Sequence, residues 1–330
     1  MDMEVKREKP YYALDYYLRE QFGEKIYKVA LNAGMTCPNR DGTIGQGGCI
    51  FCSAGGSGDF AGDVHESITR QIEQGIAGTA KFHAGGYIAY FQAFTNTYAP
   101  AERLEALFTE AISHKQIVVL SVATRPDCLS EEVIALLARI QKKKPVWVEL
   151  GLQTIHEATA AYIRRGYPLE CFTDAVKRLR LAGISVIVHV ILGLPGESRE
   201  QILETIHFLN QCDIQGVKLQ LLHVLRGTDL AEEYEAGRFS VLTLEEYTKL
   251  VCDCIACLRP DIVIHRITGD GPKDLLIAPM WSTKKRKVMN EIHHQLKLKG
   301  ITQGCMWKQP QERTEAAMEE NTDVGTIDII

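Results

Sequence analysis

The stretch SVIVHVILGLPGESREQILETIHFLNQC, Ser185 to Cys212, passes from a short apolar run through a glycine and proline turn into a helical pattern. β-Branched residues crowd Ser185 to Gly193, as a buried strand requires, and the glycines and proline that follow break the run. Ser198, with Glu200 in the first turn behind it, then marks a helix start. Strand, turn and helix in this order make half of a crossover unit.

The same order recurs along the chain. Strand candidates are Lys28 to Asn32, Tyr87 to Ala93, Ile117 to Ala123, Val146 to Leu152, Ser185 to Gly193, Gly216 to Val224 and Asp261 to Ile267. Helical patterns such as SITRQIEQGI, PAERLEALFTEAI, LSEEVIALLARIQKK and CFTDAVKRLRLAG lie between them, with starts at Pro100 and Ser130. Repeated crossovers imply an α/β fold with a parallel sheet and helices outside. The strands are short apolar runs that suit burial on both faces, so a partial or full (β/α) barrel is expected rather than a sandwich. The organisation expected is an N-terminal extension over 1–24, a barrel core over 25–268, a C-terminal extension with one basic helix over 269–308, and a disordered acidic tail over 309–330.

Of the 330 residues, 45% are hydrophobic and 24% charged, which suits a soluble globular chain, and the net charge of -5 excludes a globally basic nucleic-acid binder while leaving room for a local basic patch. The start shows no signal-peptide pattern and no later run suits a membrane span, so a cytoplasmic protein without membrane contact is expected. In that reducing compartment the ten cysteines would not form a disulfide framework, and clustered ones point to metal or redox chemistry.

Three of them lie in CPNRDGTIGQGGCIFC: Cys37, Cys49 and Cys52. Glycines between the first and second let the chain turn back, so that all three thiolates can serve one centre. Closed zinc would need a fourth ligand, and no histidine stands near. A four-iron cube on three cysteines leaves one iron open to a small-molecule cofactor. Phe51 either shields such a centre or belongs to the core. Cys252, Cys254 and Cys257 resemble a second motif, but they fall within a helical pattern and are expected to be core. In barrels of this kind chemistry gathers at the carboxyl ends of strands. QAFTNT, TRPDC, ELGLQT, GLPGES and RGT lie there, although loops collect such residues in any case.

Taken together, the cysteine loop, TRPDCL, ELGLQT, RRGY, HVILGLPGES and HRITGDGPKDLLIAPMW resemble the radical S-adenosylmethionine (radical SAM) superfamily, in the branch of the Elongator catalytic subunit. The wide spacing of Cys37 and Cys49 departs from the superfamily's commonest pattern and is similar to the YtqA/YhcC subgroup. The resemblance implies that Cys37, Cys49 and Cys52 hold a [4Fe–4S] cluster whose open iron binds S-adenosylmethionine, and that reduction yields a 5′-deoxyadenosyl radical. Residue by residue it makes Gln92 and Thr95 candidates for the methionine end of the cofactor. It puts Glu149 and Gln153 near ribose and methionine, Arg165 or its neighbour Arg164 at the carboxylate, and Gly193 in the turn passing the adenine. FQAFTNT lacks the glycines that the family has there.

The resemblance also implies tRNA as substrate, specifically conversion of 5-carboxymethylaminomethyl(-2-thio)uridine at the wobble position to the 5-aminomethyl form, with a reductant such as flavodoxin or ferredoxin as electron donor. Lys284, Lys285, Arg286 and Lys287, with His293, His294, Lys297 and Lys299 farther along the last helix, offer a positive stripe for phosphates, or else a solvated face. QKKKP, Gln141 to Pro145, is expected to close a helix end. Two alternatives remain: radical chemistry on a small molecule such as a porphyrin precursor, and a non-catalytic iron–sulfur or zinc module that binds RNA.

Overall fold

Alternation within the strands sets the architecture. Along the sheet, one phase of side chains is apolar and meets helices, while the other mixes apolar groups with polar ones such as Lys28, Tyr90, Ser121, Glu149, His189 and Lys218 and turns inward. The computed structural model describes residues 9–308 apart from 57, 80 and 82, so the expected acidic tail and the first eight residues lie outside the described residues. Seven strands form one sheet in the order β1 (Ile26–Leu31), β2 (Gly86–Phe91), β3 (Ile117–Thr124), β4 (Val146–Gln153), β5 (Ser185–Leu192), β6 (Gly216–Leu221) and β8 (Val263–Arg266). Every neighbouring pair is parallel. β1 and β8 are the two edges, so the barrel is partial.

The crossovers are α2 (Ile68–Thr79), α3 (Ala101–Ser113), α4 (Glu131–Gln141), α5 (Glu157–Tyr162), α6 (Leu169–Leu181), α7 (Arg199–Leu209), α8 (Asp229–Glu235) and α9 (Leu244–Cys257). Their apolar faces supply Leu104, Phe108, Leu137, Phe172, Ile206 and Val251 to the outer core, against Val29, Phe91, Val122, Val148, Val188 and Leu219 of the sheet. Phe108 meets Phe91 edge-on at 5.0 Å, and truncating such a fully buried ring costs about 3–5 kcal/mol. Ser130 and Ser198 cap α4 and α7 as read from the sequence, each accepting from a backbone N–H three residues on.

Three elements depart from the sequence reading. Residues 14–22 form α1, which packs on both edge strands. Leu18 of this helix, with Leu14 and Tyr17 beside it, joins Ile26, Ile88, Val119, Trp147 and Ile187 in an inner cluster from the starts of the strands. The bottom of the open barrel is thereby plugged. The sixth run breaks after Leu221, and Val224–Leu225 (β7) pairs instead with Leu276–Ala278 (β9) in an antiparallel ribbon. Val224 thus leaves the expected sixth strand, and Leu276–Ala278 adds a strand to an extension in which one helix was expected. The basic helix read from the sequence is α10 (Lys285–Leu298), which buries Val288, Ile292 and Leu296 and packs against α9.

Candidate active site

The upper ends of the strands surround a cavity of about 480 Å³, within the size range of small-molecule sites. Cys37, Cys49 and Cys52 all line it, on the loop that leaves β1. This loop holds its shape through Arg40 N–H to Cys37 O (2.8 Å), Gly48 N–H to Asn39 O (2.9 Å) and Cys52 N–H to Cys49 O (3.0 Å). Gly48 takes φ +91°, the left-handed backbone that lets the chain double back between the cysteines. The Asn39 amide donates to Cys49 Sγ at 3.5 Å and to the Arg164 carbonyl at 2.5 Å, joining the loop to the segment after α5. Pairing with Cys52 brings the Cys49 thiol down to about 7 against the effect of burial, with Arg125 and Asn39 acting in the same direction. The same pairing, together with burial, holds Cys52 well above the ordinary thiol range. Among the described residues no three His, Cys, Asp or Glu side chains converge on a single-ion position. A half-exposed thiol trio on one cavity suits the corners of a larger sulfur-held centre.

Gln92, Thr95, Glu149, Gln153 and Arg165 also line the cavity, whereas Gly193 does not. Gly193 (φ +86°) answers a packing need: a Cβ there would stand 2.9 Å from Leu242 Cδ1. The Arg165 guanidinium is already engaged, donating to Thr154 O (2.6 Å), Tyr167 O (3.0 Å) and Glu157 Oε1 (2.9 Å). It clamps the RRGY turn rather than offering a free fork. Arg164 points elsewhere and pairs with Asp229. In FQAFTNT, Phe94 takes the left-handed backbone (φ +60°) itself, while the Asn96 amide donates to Phe91 O and Ala123 O. These contacts replace the missing glycines as the means of shaping the turn.

Gln153 shows strain and an unmet need together. Its φ is +68°, costly for a residue with a Cβ, and its Oε1 is buried without a partner. Both features suit a side chain held ready for a ligand.

Glu149 proves to be a mid-strand residue at the cavity floor. Its carboxylate accepts from Lys28 Nζ (2.9 Å), Ser121 Oγ (2.8 Å), His189 Nε2 (2.7 Å) and Lys218 Nζ. Burial alone would raise it, but Lys218 and Lys28 outweigh burial and hold it well below the usual carboxylate range. Burial, against the pull of Glu149, lowers Lys218 to about 7. Burial and the Lys218 charge lower His189 to about 4, so at neutral pH it is an uncharged imidazole donating through Nε2–H. Lys218 also donates to the Tyr90 hydroxyl at 3.2 Å. Lys28, His189 and Lys218 were not picked out from the sequence. The signal was present: each is the one basic residue of its strand, set among apolar neighbours, and charged groups enter such positions only when paired.

The remaining cysteine motif is core. Cys252, Cys254 and Cys257 are buried in α9, where burial pushes Cys252 up to about 11. Lys284, Lys285, Arg286 and Lys287 are exposed at the start of α10, and Lys285 bonds to Asp270, itself in the cavity wall. His293 leaves the expected stripe, for it is half-buried and bonded to the Tyr11 hydroxyl at 3.1 Å. In QKKKP, Lys144 donates to His114 O and Ile117 O, a structural use.

A family profile described as Radical SAM superfamily matches residues 37–209, and a Radical_SAM C-terminal domain profile matches 214–298. The chain belongs to the radical SAM superfamily. It is 46% identical to YtqA of Bacillus subtilis over 93% of this chain and 96% of that protein, and 36% identical to YhcC of Escherichia coli over 89% and 96%. It is 23% identical to the tRNA uridine(34) acetyltransferase of Methanocaldococcus jannaschii across 88% of this chain, which spans 59% of that longer protein. The fold is similar to that of Elp3 from Methanocaldococcus infernus, with a TM-score of 0.65 at 18% identity over 84% of this chain and 64% of the other. As a radical SAM enzyme of the Elp3-like branch it uses a [4Fe–4S] cluster and S-adenosylmethionine. The thiol trio and the unsatisfied Gln153 on one cavity fit that pair of cofactors. No helix among the described residues is long and apolar enough to cross a membrane.

Proposed function

We propose that this radical SAM enzyme acts on tRNA, converting 5-carboxymethylaminomethyl(-2-thio)uridine at the wobble position to its 5-aminomethyl form. Cys37, Cys49 and Cys52 hold the cluster, and Gln92, Thr95 and Gln153 contact S-adenosylmethionine, which together supply the group that takes one hydrogen atom from the glycyl methylene. The carbon left behind would give up one electron to the oxidised cluster and lose a proton, so that the electron first delivered by a reductant such as flavodoxin or ferredoxin is returned. Water then splits the resulting imine into the amine and glyoxylate. The plugged barrel bottom and the apolar inner cluster keep bulk water from the floor.

The observation that carries the RNA reading is the tie between Lys285 and Asp270, which sets four basic residues beside the cavity wall. Those residues occupy the positive end of α10, whose own first turn has no acidic residue and no side-chain cap, so that Asp270 offsets Lys285 while the other three cations have no such partner among the described residues. Cations are disfavoured at that end, and phosphate groups relieve the conflict. The relationship to a tRNA uridine(34) acetyltransferase supports the same substrate class.

Mass spectrometry of tRNA nucleosides from cells lacking the protein tests the reading. Build-up of the carboxymethylaminomethyl form supports it, and unchanged wobble uridines overturn it. Anaerobic reconstitution, reduction and detection of 5′-deoxyadenosine tests the thiol assignment separately.

A further inference from the structure

Five basic side chains line the cavity, and their partners differ. Arg40 donates to Ser53 O at 2.7 Å, Arg125 holds Asp127 with two nitrogens, Arg165 holds Glu157, and Lys218 holds Glu149. The Arg266 guanidinium has no hydrogen bond or ion pair among the described residues. The acidic side chains of the lining are all engaged: Asp59 by the Ser53 hydroxyl, Glu149 by its four donors, and Asp270 by Lys285. The walls therefore carry an uncompensated guanidinium. It stands at the end of β8 in register with Lys218 of β6, beside the floor cluster in which Lys28 and Lys218 already outnumber Glu149. A second unmet group lies in this wall: His223 Nε2 is buried without a partner, its ring packed so that a Cβ on Gly269 would come within 2.8 Å.

A partly buried guanidinium with no counter-ion is costly unless a ligand supplies one, and its planar fork matches a carboxylate with two parallel bonds. Phosphates of an RNA backbone are served outside, at the start of α10. We propose that Arg266 receives the carboxylate of the substrate, so that the enzyme selects an N-substituted glycine at the end of the modified base. The proposal rests on the tRNA reading for the identity of that substrate. Arg266 is a specificity residue in it, and Lys218 adds positive potential beneath.

The test uses reconstituted enzyme saturated with S-adenosylmethionine, so that the cofactor's own carboxylate is already accommodated. An anticodon stem-loop carrying 5-carboxymethylaminomethyluridine is compared with its methyl ester for binding to wild type, Arg266→Lys and Arg266→Gln. The expected result is a preference of about tenfold or more for the free acid in wild type, part of it kept in Arg266→Lys and none in Arg266→Gln. Equal binding of acid and ester by wild type, or an undiminished preference in Arg266→Gln, overturns the proposal. So does weakened S-adenosylmethionine binding in Arg266→Gln with the preference intact, which would assign the guanidinium to the cofactor. Sarcosine, a bare N-substituted glycine, gives an arm independent of RNA by ligand-observed NMR. Sarcosine binding that requires Arg266, without conversion of the RNA, leaves the seat standing and removes the tRNA reading. Conversion of the RNA at the same KM by wild type and Arg266→Gln does the reverse.

Discussion

Lys285 Nζ lies 2.5 Å from Asp270 Oδ2, which fastens the first turn of α10 to the cavity wall. The other three cations of that turn are exposed and free of this duty. Replacing Lys284, Arg286 and Lys287 by Ser while keeping Lys285 should weaken tRNA binding. The slope of log affinity against log salt should fall by up to about 2–3 units, each of three lost phosphate contacts being worth roughly 0.7–0.9. Formation of 5′-deoxyadenosine without RNA should stay at the wild-type rate. An unchanged salt slope would make this helix face a solvated surface only.

Glu149 lies under four donors, and removing its charge leaves Lys28 and Lys218 facing each other in the interior. Glu149→Gln should cost about 3–5 kcal/mol in urea unfolding. Because its folded pKa is depressed, the wild-type carboxylate contributes stability that is present above the unfolded range near ~4.3 and lost as pH falls toward its lower folded pKa. Wild type should therefore lose stability on acidification more steeply than Glu149→Gln. Parallel pH curves would show that the ion cluster is not what sets this stability.

Gln153 offers a trade between stability and binding. Glycine at this position relieves the +68° backbone but frees the unfolded chain, so Gln153→Gly should be neutral or more stable by up to ~1 kcal/mol. Its affinity for S-adenosylmethionine, read by equilibrium dialysis, should drop about tenfold or more with the loss of Oε1 and its amide. Full retention of affinity would mean that the strain serves packing alone.

The two cysteine groups should part cleanly. Alanine at Cys37, Cys49 or Cys52 should abolish bound iron and 5′-deoxyadenosine formation while the circular dichroism is kept, since these thiols border a cavity rather than the core. Alanine at Cys252, Cys254 or Cys257 should keep the iron and lower stability by roughly 1 kcal/mol through the small void left behind. Iron lost from the second group, or kept by the first, would reverse the assignment.

Much of this was legible in the chain. The runs around Ile117 and Val146 begin where the strands begin, because continuous apolar stretches between turn formers have few alternatives. The thiol loop and the turns carrying Gln92, Thr95 and Gln153 read as strand ends of one face, the family resemblance singles out those three residues, and all of them line one cavity. Hidden from that reading were features set by the third dimension. Leu14 to Phe22 lacks a side-chain cap and is held chiefly by the strand ends it plugs. Val224–Leu225 is a strand only because Leu276–Ala278 returns to it. Glu149 looked like a strand-end residue until Lys28, His189 and Lys218, from three other strands, surrounded it. Arg266 gave no sign, since an unpaired cation is recognised only once all its neighbours are known.

The plug at the barrel bottom joins segments that lie far apart in the sequence. Tyr12 O accepts from Ile264 N–H, and Tyr12 N–H donates to Gln303 across a separation of 291 positions. Synthesis runs from the amino end, so the segment around Tyr12 emerges long before β8 and Gln303 exist for it to grip. Until the final strand arrives, the half-barrel is a trough without a base, and contacts closed over such distances form late. The nascent enzyme is thus expected to pass through a stage in which its prospective reaction chamber is still accessible from underneath, and to become watertight only once β8 and the segment around Gln303 have emerged.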